Sequence, residues 1–340
     1  MKQDKHDRIL LAHGGGGKLT DELIRGYFLP RFKNNALAEM SDAAKLNLDS
    51  GALCFTTDSY VVKPIFFNGG DIGKLAVCGT INDLAVTGAR PVALALALII
   101  EEGFEFALLE KILDSIAETA KANDVAIVTG DTKTVERGAA DEIFINTAGI
   151  GVRIEGVELG FDKIKAGDAV IISGTIGDHG MTIMSQREDI GFKSQLTSDC
   201  AAVAGLTYNL IKNTGGVKFM RDPTRGGLAA ALNEIVSQTE LSIEINEQDI
   251  PIKPSVQAAA DMLGLDVLNI ANEGKFVAVI TQDCAVDCLR ICREHPLGKD
   301  AALIGRVVES RDVPIVEMTT RIGGRRIVQM PYGRELPRIC

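Results

Sequence analysis

The sequence predicts an α/β (α+β) protein of two domains. Short apolar strands alternate with helical stretches in two separate parts of the chain, which is the pattern of sheets covered by helices. The 340 residues exceed what one compact core usually holds, and the 35 glycines provide for many tight turns. With 46% hydrophobic and 24% charged residues, the composition is typical of a globular protein.

The predicted domains comprise residues 1–155 and 156–330, followed by an extended tail at 331–340. The boundary is predicted within 155–163. Two prolines and a glycine oppose both helix and central strand in the tail, namely Pro331, Gly333 and Pro337. A tail of this length could carry its last residue on the order of 25 Å.

In the first domain, Asp71 precedes a helix predicted at 72–87. An Asp side chain can accept hydrogen bonds from the first free amides of a helix, so Asp71 is predicted to cap it. A second helix is predicted at 105–123. The predicted strands lie at 53–57, 91–99, 126–129 and 143–151.

In the second domain, a helix is predicted at 198–213 and another, ending near His295, contains three cysteines at every fourth position. That spacing is the core-facing stripe of an amphipathic helix, and Cys is often a small buried hydrophobe, so core packing is predicted over a metal site. The cysteines are Cys284, Cys288 and Cys292. The predicted strands lie at 169–173, 276–280, 302–307 and 326–329.

The formal net charge of −10 disfavours nucleic acid or an anionic membrane as the main partner, because those partners require clustered Lys and Arg. Seven cysteines without the regular spacing of a secreted scaffold indicate a reducing compartment, and the cytoplasm is predicted. The longest apolar run, 92–100, is too short to cross a bilayer. No membrane segment is therefore predicted.

A glycine-rich segment at 13–18 precedes a helix predicted from Thr20. It lacks the spacing of a Walker phosphate loop, because Ala12 stands where the first Gly belongs and Leu19 stands where Ser or Thr should follow Lys18. A flexible arm and a lid over a ligand both remain open.

Four aspartates stand at predicted strand ends or turn starts. Any one of them alone is better explained as a cap of a turn or helix, but four together favour Mg²⁺, which takes oxygen ligands and bridges phosphate oxygens. Lys133 and Arg225 lie near two of them in the sequence and could neutralise phosphate charge. The aspartates are Asp58, Asp83, Asp131 and Asp222.

Glu273 stands between Asn272 and Gly274, just before an apolar strand. A carboxylate there suits a general base or a metal ligand, although an ordinary loop glutamate before a strand has the same sequence context. The loop at 174–180 could present backbone amides to a phosphate at a helix start.

Cys340 differs from the other cysteines because it ends the chain, two places after Arg338. The arginine favours thiolate formation, whereas the adjacent α-carboxylate opposes it. From chemistry alone, an accidental terminal cysteine explains the sequence as well as a reactive one.

Six segments together resemble the HypE family of hydrogenase maturation factors, and the resemblance covers nearly the whole chain. The ending Pro-Arg-Ile-Cys at 337–340 is highly specific when it occurs with the others. The internal segments are also similar to the wider PurM-like superfamily that contains aminoimidazole ribonucleotide synthetase and selenophosphate synthetase. These segments lie at 57–62, 66–84, 130–133, 221–228 and 271–275.

The resemblance implies a two-domain PurM-like fold whose N-terminal domain has a mixed sheet and pairs in a homodimer. ATP and Mg²⁺ would bind near that interface, with the four aspartates holding the metal ion. The implied catalytic residues are Cys340, Glu273 for proton removal and Lys133 for the transferring charge. The implied ATP-binding residues are Asp58, Asn82, Asp83, Asp131, Thr132, Lys133, Asp222, Thr224 and Arg225.

The family's reaction begins when a partner carbamoyltransferase, HypF, loads a carboxamide onto the terminal thiol. ATP-dependent dehydration then gives a thiocyanate, and the cyano group passes to iron on a HypC–HypD complex for nickel-iron hydrogenase. An amide oxygen is a poor leaving group until it is phosphorylated, which explains the need for ATP.

Two alternatives stay open. A relative of the same superfamily could phosphorylate a small molecule, as selenophosphate synthetase does, but the corresponding loop at 14–18 has no cysteine and the Cys-terminated tail would be unexplained. A non-catalytic carrier could transport a cyano or carbamoyl group made elsewhere, with the aspartates stabilising the fold.

Overall fold

A computed structural model describes residues 17–23, 25, 44–48, 51–187, 196–332 and 339–340. The predicted features at 13–16 and at Pro337 and Arg338 lie outside these residues. The first described helix, α1, spans Lys18–Leu23 and begins two residues before the predicted start. No helix within these ranges is long and apolar enough to cross a membrane.

The first half of the chain forms a five-stranded mixed sheet in the order β1-β2-β7-β5-β6. Only β5 and β6 run parallel, and the helix between them supplies the crossover that a parallel pair requires. Two further short strands, β3 (Phe66–Phe67) and β4 (Gly70–Asp71), pair separately. The sheet strands are β1 (Ala44–Leu48), β2 (Gly51–Tyr60), β5 (Ala89–Glu101), β6 (Ala126–Val135) and β7 (Ile143–Arg153).

Two helices, α2 (Ile72–Val86) and α3 (Phe106–Ala122), cover one face of this sheet. Asp71 accepts hydrogen bonds from the amides of Gly73 and Lys74 at 2.7 and 3.1 Å, which confirms the predicted cap of α2. Most of α2 is buried, because the sheet lies on one side and the second half of the chain packs on the other. Its sequence accordingly has no polar face.

The second half forms a seven-stranded sheet in the order β14-β13-β10-β12-β8-β11-β9, antiparallel except between β10 and β13. Helices pack on both of its faces around two apolar clusters. The strands are β8 (Ala169–Ile172), β9 (Val217–Arg221), β10 (Ser242–Asn246), β11 (Val277–Ile280), β12 (Ala302–Val308), β13 (Val316–Thr319) and β14 (Arg325–Val328). The helices are α4 (Asp178–Ser185), α5 (Ala204–Asn213), α6 (Gly227–Thr239), α7 (Pro254–Leu263) and α8 (Ala285–Glu294).

The predicted helix at 198–213 is wrong in its first third, because α5 begins only at Ala204. Backbone amides of the preceding residues bond to distant parts of the chain instead of forming helical hydrogen bonds. The Ser198 amide donates to the Asn68 carbonyl at 2.9 Å, and the Val203 amide donates to Asn82 Oδ1 at 2.7 Å. These bonds hold the segment in an irregular path beside α2.

Two predicted strand ends are also wrong. Strand β2 continues through Asp58 to Tyr60, and β6 continues through Asp131 to Val135, so neither aspartate begins a turn. Asp83 lies within α2. The polar residues of β6 are tolerated in a strand because its outer edge has no partner among the described strands and pairs only with β5.

The predicted packing of the cysteine helix is confirmed. Cys288 and Cys292 are fully buried in the apolar cluster that α8 shares with α5, and His295 caps the end of α8. Burial raises the pKa of Cys292 to about 12, so this thiol stays protonated near neutral pH. The same cluster includes Ala85, Val86 and Ile154 from the first half, which joins the two halves through apolar contact.

Candidate active site

The last two residues of the chain are docked inside the molecule. Ile339 is only 6% exposed and packs in the core of the first half, with Cys340 against the same cluster. The Ile339 carbonyl accepts a hydrogen bond from His179 Nε2 at 2.7 Å, and the Cys340 carbonyl accepts one from the Val61 amide at 3.2 Å. The terminal thiol is therefore presented to interior groups.

Glu273 is the most unusual of these groups. It is 2% exposed, and its Oε1 has no hydrogen-bond partner among the described residues. Burial, followed by the negative charges of Asp222, Asp199 and Asp58, raises the pKa of Glu273 well above its ordinary value. A buried carboxyl with one free oxygen is suited to exchange a proton with a bound group.

Asn82 fixes the backbone of Glu273 from α2. Its Nδ2 donates to the carbonyls of Glu273 and Ala201 at 3.1 and 3.0 Å, while its Oδ1 accepts from the Val203 amide. The side-chain amide has then used both of its donors and its acceptor, and it is 1% exposed. The structure thus gives Asn82 a positioning role in place of the predicted contact with nucleotide.

Asp199 is a site residue that the sequence analysis missed, because it falls within the wrongly predicted helix. Its carboxylate accepts hydrogen bonds from the amides of Glu273 and Gly274, each at 3.2 Å, and Lys275 Nζ lies 3.7 Å away. A Cβ at Gly274 would collide with the Asp199 carbonyl oxygen, so only glycine permits this approach. In the sequence, the Asn-Glu-Gly-Lys pattern at 272–275 was the feature that could have indicated a residue packed this closely against Gly274.

Arg225 supplies positive charge beside the docked thiol. Burial alone would lower its pKa, but electrostatic interactions with Cys340, Asp58, Glu273 and Asp83 together raise it. Arg225 thus interacts with carboxylates from β2, α2 and the loop after Ile270. The structure brings four predicted residues close enough to Cys340 to act on its charge, namely Asp58, Asp222, Arg225 and Glu273, and a fifth, Asp83, acts on Arg225.

The predicted aspartates in this group are held by their surroundings. Asp83 accepts a hydrogen bond from Thr56 Oγ1 at 2.8 Å, and Asp58 accepts one from the Ser59 amide at 2.8 Å. Burial raises the pKa of Asp58, although the Arg225 charge opposes this. Asp222 is 6% exposed and follows β9 directly.

A glycine turn explains the sequence around Arg225. Gly226 and Gly227 both have positive φ, and a Cβ at Gly227 would lie 2.6 Å from the carbonyl oxygens of Leu268 and Ile270. The Thr224 carbonyl accepts from the Gly227 amide at 2.9 Å. The turn therefore packs closely against residues 268–270, which precede Glu273 in the chain.

Asn272 ties this turn to the loop at 174–180. Its Nδ2 donates to the Pro223 carbonyl at 2.8 Å, and its Oδ1 accepts from the Gly177 amide at 2.7 Å. The Gly180 amide donates to the Ala271 carbonyl at 3.1 Å. These two loop amides are therefore committed to protein acceptors, and the predicted phosphate contact would have to use others.

The surroundings of the partly buried Cys340 disfavour ionisation of its thiol. Burial, with the negative charge of Glu273, raises its pKa far above the ordinary value, and the positive charge of Arg225 only partly opposes this. A thiol is a weak nucleophile until it ionises. The docked position therefore suits a cysteine that carries a group better than one that attacks.

Asp131 and Lys133 lie on the opposite face of the five-stranded sheet. They pair across to Ala97 and Ile99 of β5, which alternate with the buried Leu98 and so face outwards. Lys133 Nζ contacts Asp131 Oδ1 at 3.1 Å, and both side chains are exposed. Thr132 stands between them in β6.

The predicted cluster of four aspartates is accordingly not formed within one chain. Strand β6 runs on to Val135, and its register places Asp131 on the outer face while Asp58 and Asp83 stand with the Cys340 group. Within the described ranges, no three His, Cys, Asp or Glu side chains converge closely enough to hold a metal ion. The carboxylate oxygens near Arg225 are nevertheless of the type that Mg²⁺ prefers, and one or two suffice when phosphate and water complete its shell.

Similarity to known proteins agrees with this architecture. Residues 40–153 match the N-terminal domain of AIR synthase related proteins, and residues 165–317 match their C-terminal domain. Carbamoyl dehydratase HypE of Bradyrhizobium diazoefficiens is 49% identical over 331 residues, covering 97% of this chain and 95% of that protein.

Solved structures are equally similar. A HypE–HypF complex gives a TM-score of 0.86 at 48% identity, covering 91% of this chain and 99% of the matched one. HypE in complex with ATP gives 0.82 at 43% identity, covering 98% and 100%. These matches first define the class, a two-domain α/β enzyme of the AIR synthase related family. Within that class, the chain belongs to the HypE family of carbamoyl dehydratases, which confirms the predicted resemblance and fold.

Proposed function

We propose that this enzyme uses ATP to dehydrate an S-carboxamide carried on its own Cys340, giving a thiocyanate. The observation that carries the proposal is the docking of the chain terminus, with the Cys340 thiol beside Glu273 and Arg225. A carrier that only transported a group would not need a terminal thiol facing a buried carboxyl with a free oxygen. The relatives named carbamoyl dehydratase support the same activity.

The proposed chemistry removes one oxygen and two protons from the carboxamide. The amide oxygen attacks the γ-phosphorus of ATP, ADP leaves, and loss of one N–H proton gives an O-phosphorylated imidate. The C–O bond then breaks, phosphate leaves with the electron pair, and loss of the second N–H proton forms the C≡N bond. Phosphorylation is what converts a poor leaving group into a good one.

Glu273 is the proposed acceptor of the N–H protons. Its raised pKa makes the ionised carboxylate a stronger base than an ordinary glutamate, and its free Oε1 can accept from one N–H. Asn82 and Asp199 hold its backbone in place from two sides. The base is thus positioned by groups that do not themselves react.

The phosphates of ATP are proposed to bind next to Arg225, which would neutralise part of their charge. Asp58, Asp83 and Asp222 are the proposed Mg²⁺ ligands in the same chain, and Thr224 is a proposed nucleotide contact. The metal ion, when bound, would stabilise charge on the phosphates. A structure of HypE in complex with ATP supports a nucleotide site in this fold.

A homodimer is proposed to complete this site. The outer face of the five-stranded sheet exposes large apolar side chains in adjacent strands, including Phe55, Ile99 and Ile150, each 42% exposed. Such a face is expected to be covered by a second copy. Asp131, Thr132 and Lys133 share β6 at its edge, so pairing would bring them from one protomer towards the site of the other.

The proposed partners follow from the two ends of the reaction. A HypF-type carbamoyltransferase would load Cys340, which the structure of a HypE–HypF complex supports. A HypC–HypD complex would accept the cyano group on iron. The seven free cysteines support the proposed cytoplasmic location, because an oxidising compartment would favour disulfides.

Intact mass spectrometry in two stages would test the proposed function. The protein is first loaded with HypF-type carbamoyltransferase and carbamoyl phosphate, then separated from it and given fresh ATP and Mg²⁺. We expect an adduct on Cys340 that loses one water only in the second stage, and no adduct on a Cys340→Ala variant. Loss of water without ATP, or equally in an Asp83→Asn variant, would favour a non-catalytic carrier.

A further inference from the structure

His179 is fully buried at the start of α4, and both of its ring nitrogens are hydrogen-bonded. Nδ1 lies 2.8 Å from Ser198 Oγ, and Nε2 lies 2.7 Å from the Ile339 carbonyl oxygen. The Phe67 ring packs edge-on against the imidazole, with centroids 5.4 Å apart at 84°. The ring is therefore held in one orientation, with one nitrogen directed at the end of the chain.

The proton positions follow from the partners. A carbonyl oxygen only accepts, so Nε2 must carry the hydrogen that is donated to Ile339. Burial lowers the pKa of His179, so the ring is neutral and Nδ1 is an acceptor. The Ser198 hydroxyl donates to Nδ1 while its oxygen accepts from the Cys200 amide at 3.0 Å. The Ile339 carbonyl thus fixes the tautomer, and the Ser198 hydroxyl satisfies the other ring nitrogen.

We propose that His179 is the positioning residue that holds Cys340 in its docked place, by donating from Nε2 to the Ile339 carbonyl. The Ile339 carbonyl directly precedes Cys340, and the Val61 amide holds the carbonyl on the other side of the thiol-bearing Cα. These two bonds fix the backbone on both sides of the reacting residue. The consequence for catalysis rests on the proposed function, whereas the docking itself does not.

Losing His179 would leave a buried carbonyl without its donor. An unsatisfied buried acceptor costs enough to shift the equilibrium between docked and released ends by about tenfold. Release would relieve the unsatisfied group, because the carbonyl could then bond to water. Sequence analysis placed His179 in the loop at 174–180 but gave no reason to connect it with the last two residues.

Docking and loading place opposite demands on the same thiol. In the docked place, bonds to the Ile339 and Cys340 carbonyls hold the end of the chain against the core of the first half, whereas loading requires the thiol to reach a partner enzyme. Dehydration requires the carboxamide beside Glu273, which is the docked place. His179 therefore acts on the second half of the reaction and is expected to have little effect on the first.

The proposal is tested by measuring how fast N-ethylmaleimide alkylates Cys340. Peptide mass spectrometry follows the extent of alkylation with time. The variants are His179→Leu, which removes the donor, and His179→Gln, which can still donate from its amide. Thr182→Ala is the matched control, because Thr182 is buried in the same helix and its hydroxyl donates to the Asp178 carbonyl at 2.7 Å, away from the chain terminus. Cys284, which is partly exposed, serves as an internal reference thiol.

We expect His179→Leu to speed alkylation of Cys340 about tenfold relative to Cys284, with His179→Gln and Thr182→Ala close to the wild type. Equal rates in all four proteins would overturn the proposal, and so would an equal acceleration in Thr182→Ala or His179→Gln. On protein already carrying the carboxamide, His179→Leu should slow dehydration while leaving loading by the carbamoyltransferase unchanged. If wild-type protein is neither loaded nor dehydrated, the proposed function fails, and the alkylation rates still decide the role of His179.

Discussion

The two faces of the five-stranded sheet have different chemistry. The inner face packs on α2 and belongs with the Cys340 group, in which buried Glu273 meets Arg225 and Asp58. The outer face is open, carries large apolar side chains and ends in the exposed Asp131–Lys133 pair. One chain therefore contains Cys340 and the proposed proton acceptor, but Asp131 and Lys133, which are predicted to contact phosphate, lie on the opposite face of the sheet. The proposed dimer through the outer face would bring them towards the site of the second protomer.

The largest effect is expected on the inner face. Glu273→Gln keeps the size of the side chain but removes the base, so dehydration of loaded protein should fall by about 10²–10⁴-fold. Loading of Cys340 should be unchanged, because that step occurs on the partner enzyme. The measurement is the rate of water loss by intact mass spectrometry, with Glu244→Gln on the second sheet as the control. Unchanged dehydration would remove Glu273 from the mechanism.

A smaller but still large effect is expected on the outer face. Lys133→Met removes a positive charge from the proposed phosphate site, and dehydration should fall by about 10²–10³-fold. Lys163→Met, which removes an exposed lysine that bonds Glu158 at 3.0 Å, is the control. If both variants dehydrate the carboxamide at the wild-type rate, Lys133 does not act on the transferring phosphate.

The third effect concerns assembly. Ile150→Asp places a carboxylate in the middle of the outer face, and a two-fold interface would bury it twice without a partner, at a cost of several kcal/mol. Light scattering should show a dimer for the wild type and monomers for the variant, with dehydration lost in proportion. Ile322→Asp is the control, since Ile322 is 96% exposed in the second half. A dimer that survives Ile150→Asp would place the interface elsewhere.

The smallest effect is on stability. The folded protein keeps the Glu273 proton to a higher pH than the unfolded chain does, because its pKa is raised. Between those two pKa values the folded state binds more protons, so rising pH costs stability. Glu273→Gln has no such proton, and its melting temperature should exceed that of the wild type by a margin that widens as pH increases. A margin that is constant with pH would contradict the raised pKa.

The sequence predicted the fold well where one pattern dominated. Helix α2 and its Asp71 cap, and the buried face of α8, follow from local spacing and capping rules. The path of Ser198 and Asp199 could not be predicted this way, because its backbone bonds to loops more than a hundred residues distant in sequence, such as Asn68. Residues of high helix propensity around them gave no sign of that competition.

The sequence predicted which residues form the candidate site better than it predicted how they are arranged. Residue types and family resemblance singled out Glu273, Arg225 and Asp58, which the structure brings together around Cys340. The sequence could not show that Asp131 lies on the opposite face from that group, because its position depends on how far β6 continues and on its register with β5. The positioning residues Asn82 and His179 act through backbone groups that carry no sequence signature.

Subunit complementation tests the division between the two faces most directly. Lys133→Met and Glu273→Gln protomers with different tags are co-expressed, and mixed dimers are loaded and given ATP. If Lys133 acts across the interface, each mixed dimer has one intact site, so isolated mixed dimers should recover about half of the wild-type rate and an unseparated equal mixture about a quarter. The thiocyanate should appear only on the Lys133→Met chain, which keeps its own Glu273. No recovery, or thiocyanate on both chains, would contradict a site shared between two protomers.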